Sequence, residues 1–162
     1  MTHTVRAWVG LGGNTGDPVA TLRAAFTAIA ALPDTRLLQQ SSLYRTQAWG
    51  PVPQADYVNA VGLLDTRLDA DALLAGLLDI ERAFGRLRLE RWGPRSLDLD
   101  LLLYGEGIID MPGLRVPHPH LHERAFMLIP LLEVDPQASI PGIGSARDAL
   151  AALASGAIEV VG

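Results

Sequence analysis

The apolar residues of this chain change their period in a fixed order, and that order constrains the fold more than any single motif. Val5 to Leu11 is an apolar, partly β-branched run that ends in the turn Gly12-Gly13-Asn14-Thr15-Gly16-Asp17-Pro18. A helix is predicted next. Asp17 suits an N-cap, Pro18 suits the first helical position, and Leu22, Ala25, Phe26, Ile29 and Leu32 recur at helical spacing up to Pro33. An extended stretch over Thr35 to Arg45 and a strand over Tyr57 to Asp65 follow, separated by a Gly/Pro-rich loop from Gln47 to Ala55. The stripe Leu73, Leu74, Leu77, Leu78, Ile80, Glu81 and Phe84 predicts a second helix, capped by Asp69 or Asp71 and stopped at Gly85. Ser96 to Tyr104 then alternates as a strand with Leu97, Leu99 and Leu101 toward the core.

The resulting order, β-α-β-β-α-β, is that of a ferredoxin-like α+β core, an antiparallel sheet with both helices on one face. Pro117 to Pro119 reads as a turn, and Glu123 to Glu133 and Ala146 to Ala154 as C-terminal helical additions. The chain has 162 residues and no internal repeat, low-complexity tract or linker. One domain over residues 1–162 is therefore expected, since a typical domain takes roughly 100 to 200 residues.

Composition removes several classes of chemistry. There is no cysteine, which excludes disulfides, thiolate metal sites and a cysteine nucleophile. All 13 Lys+Arg residues are arginine, so neither a Walker-type lysine nor a lysine Schiff base is available, and any phosphate clamp must use guanidinium forks. A net charge of -5 argues against a general nucleic-acid binder. No basic segment near Met1 leads into an apolar run, and no apolar run approaches the roughly 20 residues of a membrane span. A cytoplasmic protein without a membrane partner is expected.

Asp98 and Asp100, two apart on a strand, project from one face. On a solvated strand such a pair is merely tolerated, because water and salt screen the repulsion. The alternative is a hard-cation site, because Mg²⁺ takes a few carboxylate oxygens together with water and substrate phosphates. Just ahead lie Arg82, Arg86, Arg88, Arg91 and Arg95, which Glu81 and Glu90 can partly neutralise as a solvated face. An arginine loop facing a carboxylate metal site is also what phosphoryl transfer requires. Three closely spaced histidines, His118, His120 and His122, lack an acidic or cysteine partner at a zinc spacing, so one phosphate-facing imidazole is the better reading. Gly10-Leu11-Gly12-Gly13 departs from G-x-G-x-x-G, with Gly16 one residue late, and reads as a tight strand-to-helix turn. Trp49 and Trp92 sit beside Gly-Pro breakers, where core anchoring and stacking on a planar ligand both remain open.

Four strings carry a resemblance: Ser42-Leu-Tyr-Arg-Thr46, Asp56-Tyr-Val-Asn-Ala60, Glu90-Arg-Trp-Gly-Pro-Arg-Ser-Leu-Asp-Leu-Asp100, and Val116-Pro-His-Pro-His120 with Arg124-Ala-Phe-Met-Leu128. In order and spacing, from about Val5 to Pro136, the chain resembles the 6-hydroxymethyl-7,8-dihydropterin pyrophosphokinase family. The resemblance implies a ferredoxin-like core and transfer of the terminal diphosphate of ATP to the pterin hydroxymethyl group in folate synthesis, releasing AMP. It implies that Asp98 and Asp100 hold two Mg²⁺ ions, and that Arg86 and Arg95 stabilise the transferring group. Arg88, Arg91 and Trp92 would close over ATP, His118 would contact a phosphate, and Arg124 would lie near the nucleotide. Tyr57 and Phe126 would sandwich the pterin, Asn59 would read its rim, and Thr46 and Trp49 would border the pocket. ATP and the pterin are then the partners, and a monomer is expected.

The chain departs from the family pattern in a loop one residue shorter between Arg88 and Trp92, with Leu89 where a lysine is often found. Pro119 replaces a tyrosine, and Gln47-Ala48 a proline pair. Two other classes compete with this reading: a catalytically silent ferredoxin-like binding module, and a metal-dependent phosphohydrolase that uses the same carboxylates with water.

Overall fold

A computed structural model of the chain describes residues 3–46, 55–84, 96–153 and 158–161. In chain order the elements are β1 (Val5–Gly13), α1 (Pro18–Ala30), β2 (Thr35–Gln40), β3 (Leu43–Thr46), β4 (Tyr57–Thr66), α2 (Ala70–Ala83) and β5 (Asp98–Tyr104). They continue with β6 (Ile109–Met111), β7 (Leu114–Val116), α3 (Ala125–Val134), β8 (Ser139–Ile140), β9 (Gly144–Ser145), α4 (Ala146–Ala151) and β10 (Ile158–Val161). The main sheet runs β10-β3-β4-β1-β5, with β2 also paired to β4, and every pairing in it is antiparallel.

The helix starts follow from their caps. Asp17 accepts from Ala20 N at 3.2 Å with Pro18 at the first position, and Asp69, rather than Asp71, accepts from Ala72 N at 2.8 Å. Leu22, Phe26 and Ile29 of α1 and Leu73, Leu77 and Ile80 of α2 close one core against Val9, Leu11, Ala60, Leu99 and Leu101. The expectation of both helices on one face holds for α1 and α2. The opposite face is covered as well: Leu128, Leu131 and Val134 of α3 and Ala146 of α4 join Trp8, Val61, Leu63 and Leu103 in a second core.

The stretch predicted as one strand over Thr35 to Arg45 is two strands. It breaks at Ser41-Ser42, where Ser41 exchanges bonds with Val61, its N donating to Val61 O and its Oγ accepting from Val61 N, each at 2.9 Å. The segment predicted as a helix from Glu123 starts as a 3-10 turn over Leu121–Glu123 before α3. Among the described residues, no helix is long and apolar enough to cross a membrane.

Candidate active site

The α3 face of the sheet has a floor of glycine. Gly12 stands opposite Asn59 on β4 and Asp98 on β5, and Gly10 stands opposite Val61 and Asp100. Directly opposed residues of antiparallel strands leave by the same face. Asp98, Asp100, Tyr57 and Asn59 therefore share the face of α3, together with Tyr44 and Thr46 of β3, which pair with Asn59 and Tyr57. A β-carbon at Gly12 would come within 2.7 Å of Asn59 Nδ2, and one at Gly10 within 2.9 Å of Met127 Sδ. Side chains at either position would displace the groups packed above them.

A bulge aims the carboxylates. The β1–β5 register shifts between Trp8, opposite Leu103, and Val9, opposite Leu101, which leaves Leu102 as the extra residue. Leu101, Leu102 and Leu103 are consequently all buried, and the strict alternation expected through Tyr104 holds only as far as Leu101. Asp98 and Asp100 are half-buried, so they do not stand on an openly solvated strand face.

The carbonyl of Leu102 accepts from His118 N at 2.9 Å, which brings His118 to the rim of a cleft of about 290 Å³ shared with Asp100. Leu74 of α2, Leu99 and Leu101 of β5 and Leu114 of β7 supply its apolar walls. His118 Nδ1 accepts from His120 N at 3.2 Å, so in the neutral ring the proton sits on Nε2, which is then a donor. Burial, then the Arg124 guanidinium and then His120, push the His118 pKa down to about 4. At neutral pH the ring is an uncharged hydrogen-bond donor. The other two histidines turn elsewhere, His120 Nδ1 and His122 Nε2 each meeting a Glu123 oxygen, at 3.2 and 3.5 Å.

At the other end of the floor, Asn59 is buried but loosely held. Its Nδ2 donates to Leu11 O at 3.5 Å and its Oδ1 accepts from Thr46 Oγ1 at 3.4 Å. Both bonds are long enough for the amide to retain capacity for stronger partners. Tyr57 and Phe126 are half-buried aromatics, and the Arg124 guanidinium carbon lies 5.8 Å from the Phe126 ring centroid. Trp49, Arg86, Arg88, Arg91, Trp92 and Arg95 lie outside the described residues, as do Gln47, Ala48 and Leu89.

Two carboxylates escaped the reading of the sequence as site residues. Glu81, counted there as a neutraliser of the arginine run, is 3% exposed and accepts from Leu99 N at 2.7 Å. Leu99 lies between Asp98 and Asp100, so Glu81 anchors the backbone that carries both. The available signal was a glutamate within the apolar stripe of α2. The second is Glu133 of α3, which binds Ser42 and Tyr44 on β3 and its approach.

Residues 8–136 match the family model described as 7,8-dihydro-6-hydroxymethylpterin-pyrophosphokinase (HPPK). The chain belongs to the HPPK family. The resemblance read from its four strings is thereby borne out. It is 46% identical over 136 residues to the 2-amino-4-hydroxy-6-hydroxymethyldihydropteridine pyrophosphokinase of Pseudomonas aeruginosa, covering 84% of each chain. To the Methylorubrum extorquens enzyme of the same name it is 43% identical over 156 residues, covering 96% of this HPPK-family chain and 98% of the relative. Among solved structures it is similar to Plasmodium falciparum HPPK-DHPS, wild type with pteroate, with a TM-score of 0.74 over 93% of its length. At 11% identity that likeness is one of fold, and the chain spans 44% of the Plasmodium chain.

Proposed function

We propose that the chain transfers the terminal diphosphate of ATP to the hydroxymethyl oxygen of 6-hydroxymethyl-7,8-dihydropterin, giving AMP and the pterin diphosphate for folate synthesis. The names of relatives at 43% and 46% identity support the reaction class. The observation that carries the reading is the shared sheet face, on which Asp98 lies across Gly12 from Asn59, with Asp100 two residues along β5 and Tyr57 two residues along β4. A pterin is flat, π-rich on its faces and polar at its rim. Tyr57 and Phe126 supply stacking surfaces, Asn59 with Thr46 supplies directional bonds to the rim, and Trp49 is assigned to the pocket border on motif alone.

The leucine-walled cleft beside β5 suits the base of the nucleotide, and Asp100 and His118 on its lining would direct the phosphates toward the glycine floor. His118 donates Nε2–H to a phosphate oxygen, and Arg124 lies close enough to depress its pKa. The pterin hydroxyl oxygen then forms a bond to the β-phosphorus, releasing its proton to solvent, as the bond from that phosphorus to the α-bridging oxygen breaks, and AMP leaves with that oxygen. Arg86 and Arg95 are assigned to the transferring group, and Arg88, Arg91 and Trp92 to closure over ATP, on motif alone.

Among the described residues no three His, Asp or Glu side chains gather as a metal cage. A pair of carboxylates on one face would suit Mg²⁺, a hard cation that prefers oxygen ligands. We expect two ions held by Asp98 and Asp100. When bound they neutralise charge on the phosphate oxygens. The order β5-β1-β4 followed by β2 and β3 supports one domain with a ferredoxin-like core, to which α3 and α4 are additions on the second face.

The test is to mix the protein with ATP, Mg²⁺ and the pterin, omit each in turn, and identify the nucleotide product. AMP formed only when all three are present supports diphosphate transfer. ADP, or phosphate released without pterin, overturns it in favour of a kinase or a hydrolase.

A further inference from the structure

The strand that borders the pterin pocket is fastened to the helix above it by one side chain. Glu133, in the last turn of α3, accepts from Ser42 N at 3.1 and 2.9 Å, from Ser42 Oγ at 3.0 Å, and from the Tyr44 hydroxyl. Ser42 lies at the break between β2 and β3. Tyr44 is the direct cross-strand partner of Asn59, and Thr46, two residues on, is that of Tyr57. The carboxylate therefore grips the strand at its entry and one side chain before the pocket. Burial and then the Glu133 bond push the Tyr44 pKa up to about 12, so the phenol keeps its proton, and the bond, throughout the working pH range.

The other end of the same helix carries the pocket's second ring. Phe126 and Glu133 are seven residues apart, two helical turns, and so lie on one side of α3. Between them stands Pro130, which has no N–H to donate to the Phe126 carbonyl. The turn bearing Phe126 thus lacks one of its own helical bonds. It is held instead by Met127 N and Leu128 N on Arg124 O, by packing, and by whatever fixes the helix as a body to the sheet. The Glu133 clasp is a polar, directional fixing point for that body, whereas the leucine contacts of α3 are non-directional.

We infer that Glu133 is a positioning residue for the pterin: by clasping Ser42 and Tyr44 it sets α3, and with it Phe126, over the strand residues Tyr57 and Asn59. The inference rests on the pterin reading of that pocket. The hydrogen bonds of Glu133 go to Ser42 and Tyr44, and none of the three residues lines the cleft between α2, β5 and β7. Loss of Glu133 is therefore felt more by the pterin than by the nucleotide, which α3 would meet through Arg124 at its N-terminal cap.

The experiment compares the intact protein with Glu133→Gln and Tyr44→Phe. Thermal denaturation establishes that each is folded, and calorimetry measures the pterin and a non-hydrolysable ATP analogue with Mg²⁺ separately. Glu133→Gln should weaken pterin binding about tenfold, the scale of one charge-assisted hydrogen bond, with nucleotide affinity unchanged within about twofold. Tyr44→Phe should weaken the pterin less, and the double variant should bind no worse than Glu133→Gln alone. Unchanged pterin affinity in both single variants overturns the inference, as does a parallel fall in pterin and nucleotide affinity, which marks a general structural role. Absence of pterin binding by the unaltered protein overturns the pterin reading itself and the inference with it.

Discussion

Toward α1 and α2, the strands β1, β4 and β5 present Ala7, Val9, Leu11, Val58, Ala60, Leu99 and Leu101, every one buried and apolar. Toward α3 the same strands present Gly10, Gly12, Tyr57, Asn59, Asp98 and Asp100. The backbone is common to both faces, so the leucine side holds rigid the strands whose other side carries groups that a core would not tolerate. Unpaired polar groups are costly to bury. The α3 face carries polar side chains because Gly10 and Gly12 leave space there and because Asp98 and Asp100 are only half-buried. A site built on strands stiffened from behind keeps its geometry better than one built on loops.

The sharpest way to separate the faces is to remove charge without removing volume. Asp98→Asn and Asp100→Asn should each lower the rate of AMP formation by at least about a thousandfold, as expected for loss of a metal-holding carboxylate, with no fall in thermal midpoint. Steady-state assay and calorimetry check both halves. A variant that keeps near-native turnover would break the comparison.

A smaller effect is expected from adding volume to the floor. Gly12→Ala sets a β-carbon 2.7 Å from Asn59 Nδ2 and must push the amide from its place. Pterin affinity should fall roughly tenfold to a hundredfold, as for a displaced positioning group, while affinity for the ATP analogue stays within about twofold. On the opposite face the pattern inverts. Leu73→Ala, at a fully buried position of α2, should cost about 2–5 kcal/mol of stability in denaturant titration and leave both Michaelis constants near native.

The smallest effect is one of pH. The His118 pKa of about 4 lies below the ordinary histidine value of 6.5, so the unfolded chain binds the proton more readily than the folded one. The contribution of His118 to stability is whole above about pH 6.5 and declines as the pH falls toward 4. His118→Gln should flatten that part of the stability profile, measured by thermal melts between pH 7 and 4.

Much of this was legible in the chain because periodicity reports burial. The stripes of α1 and α2 and the alternation of Leu97, Leu99 and Leu101 marked the first core except at Leu78, which is exposed, and the two caps stood at Asp17 and Asp69. The second core was less legible. Leu101, Leu102 and Leu103 are buried on both sides of a bulge, and a bulge shows in pairing register rather than in hydrophobic pattern. Asp98, Asp100 and His118 were singled out from residue type and motif, and the structure brings Asp100 and His118 to one cleft, with Asp98 two residues along the same strand face. Glu81 and Glu133 were not, because each acts on a backbone or side chain far away in sequence. The short hairpin β6–β7 was also missed. Its two three-residue strands carry too few residues for a period to register, yet β7 supplies Leu114 to the cleft.

The central claim is that the carboxylates and the pterin pocket share one face, so that metal held by Asp98 and Asp100 lies within reach of the pterin hydroxymethyl group. The most direct measurement replaces Mg²⁺ with paramagnetic Mn²⁺, adds a non-hydrolysable ATP analogue, and records nuclear relaxation of the bound pterin. The account predicts strong broadening of the hydroxymethyl protons that disappears in Asp98→Asn and Asp100→Asn. Pterin bound with its hydroxymethyl protons unbroadened, or broadening that persists in both variants, would contradict it.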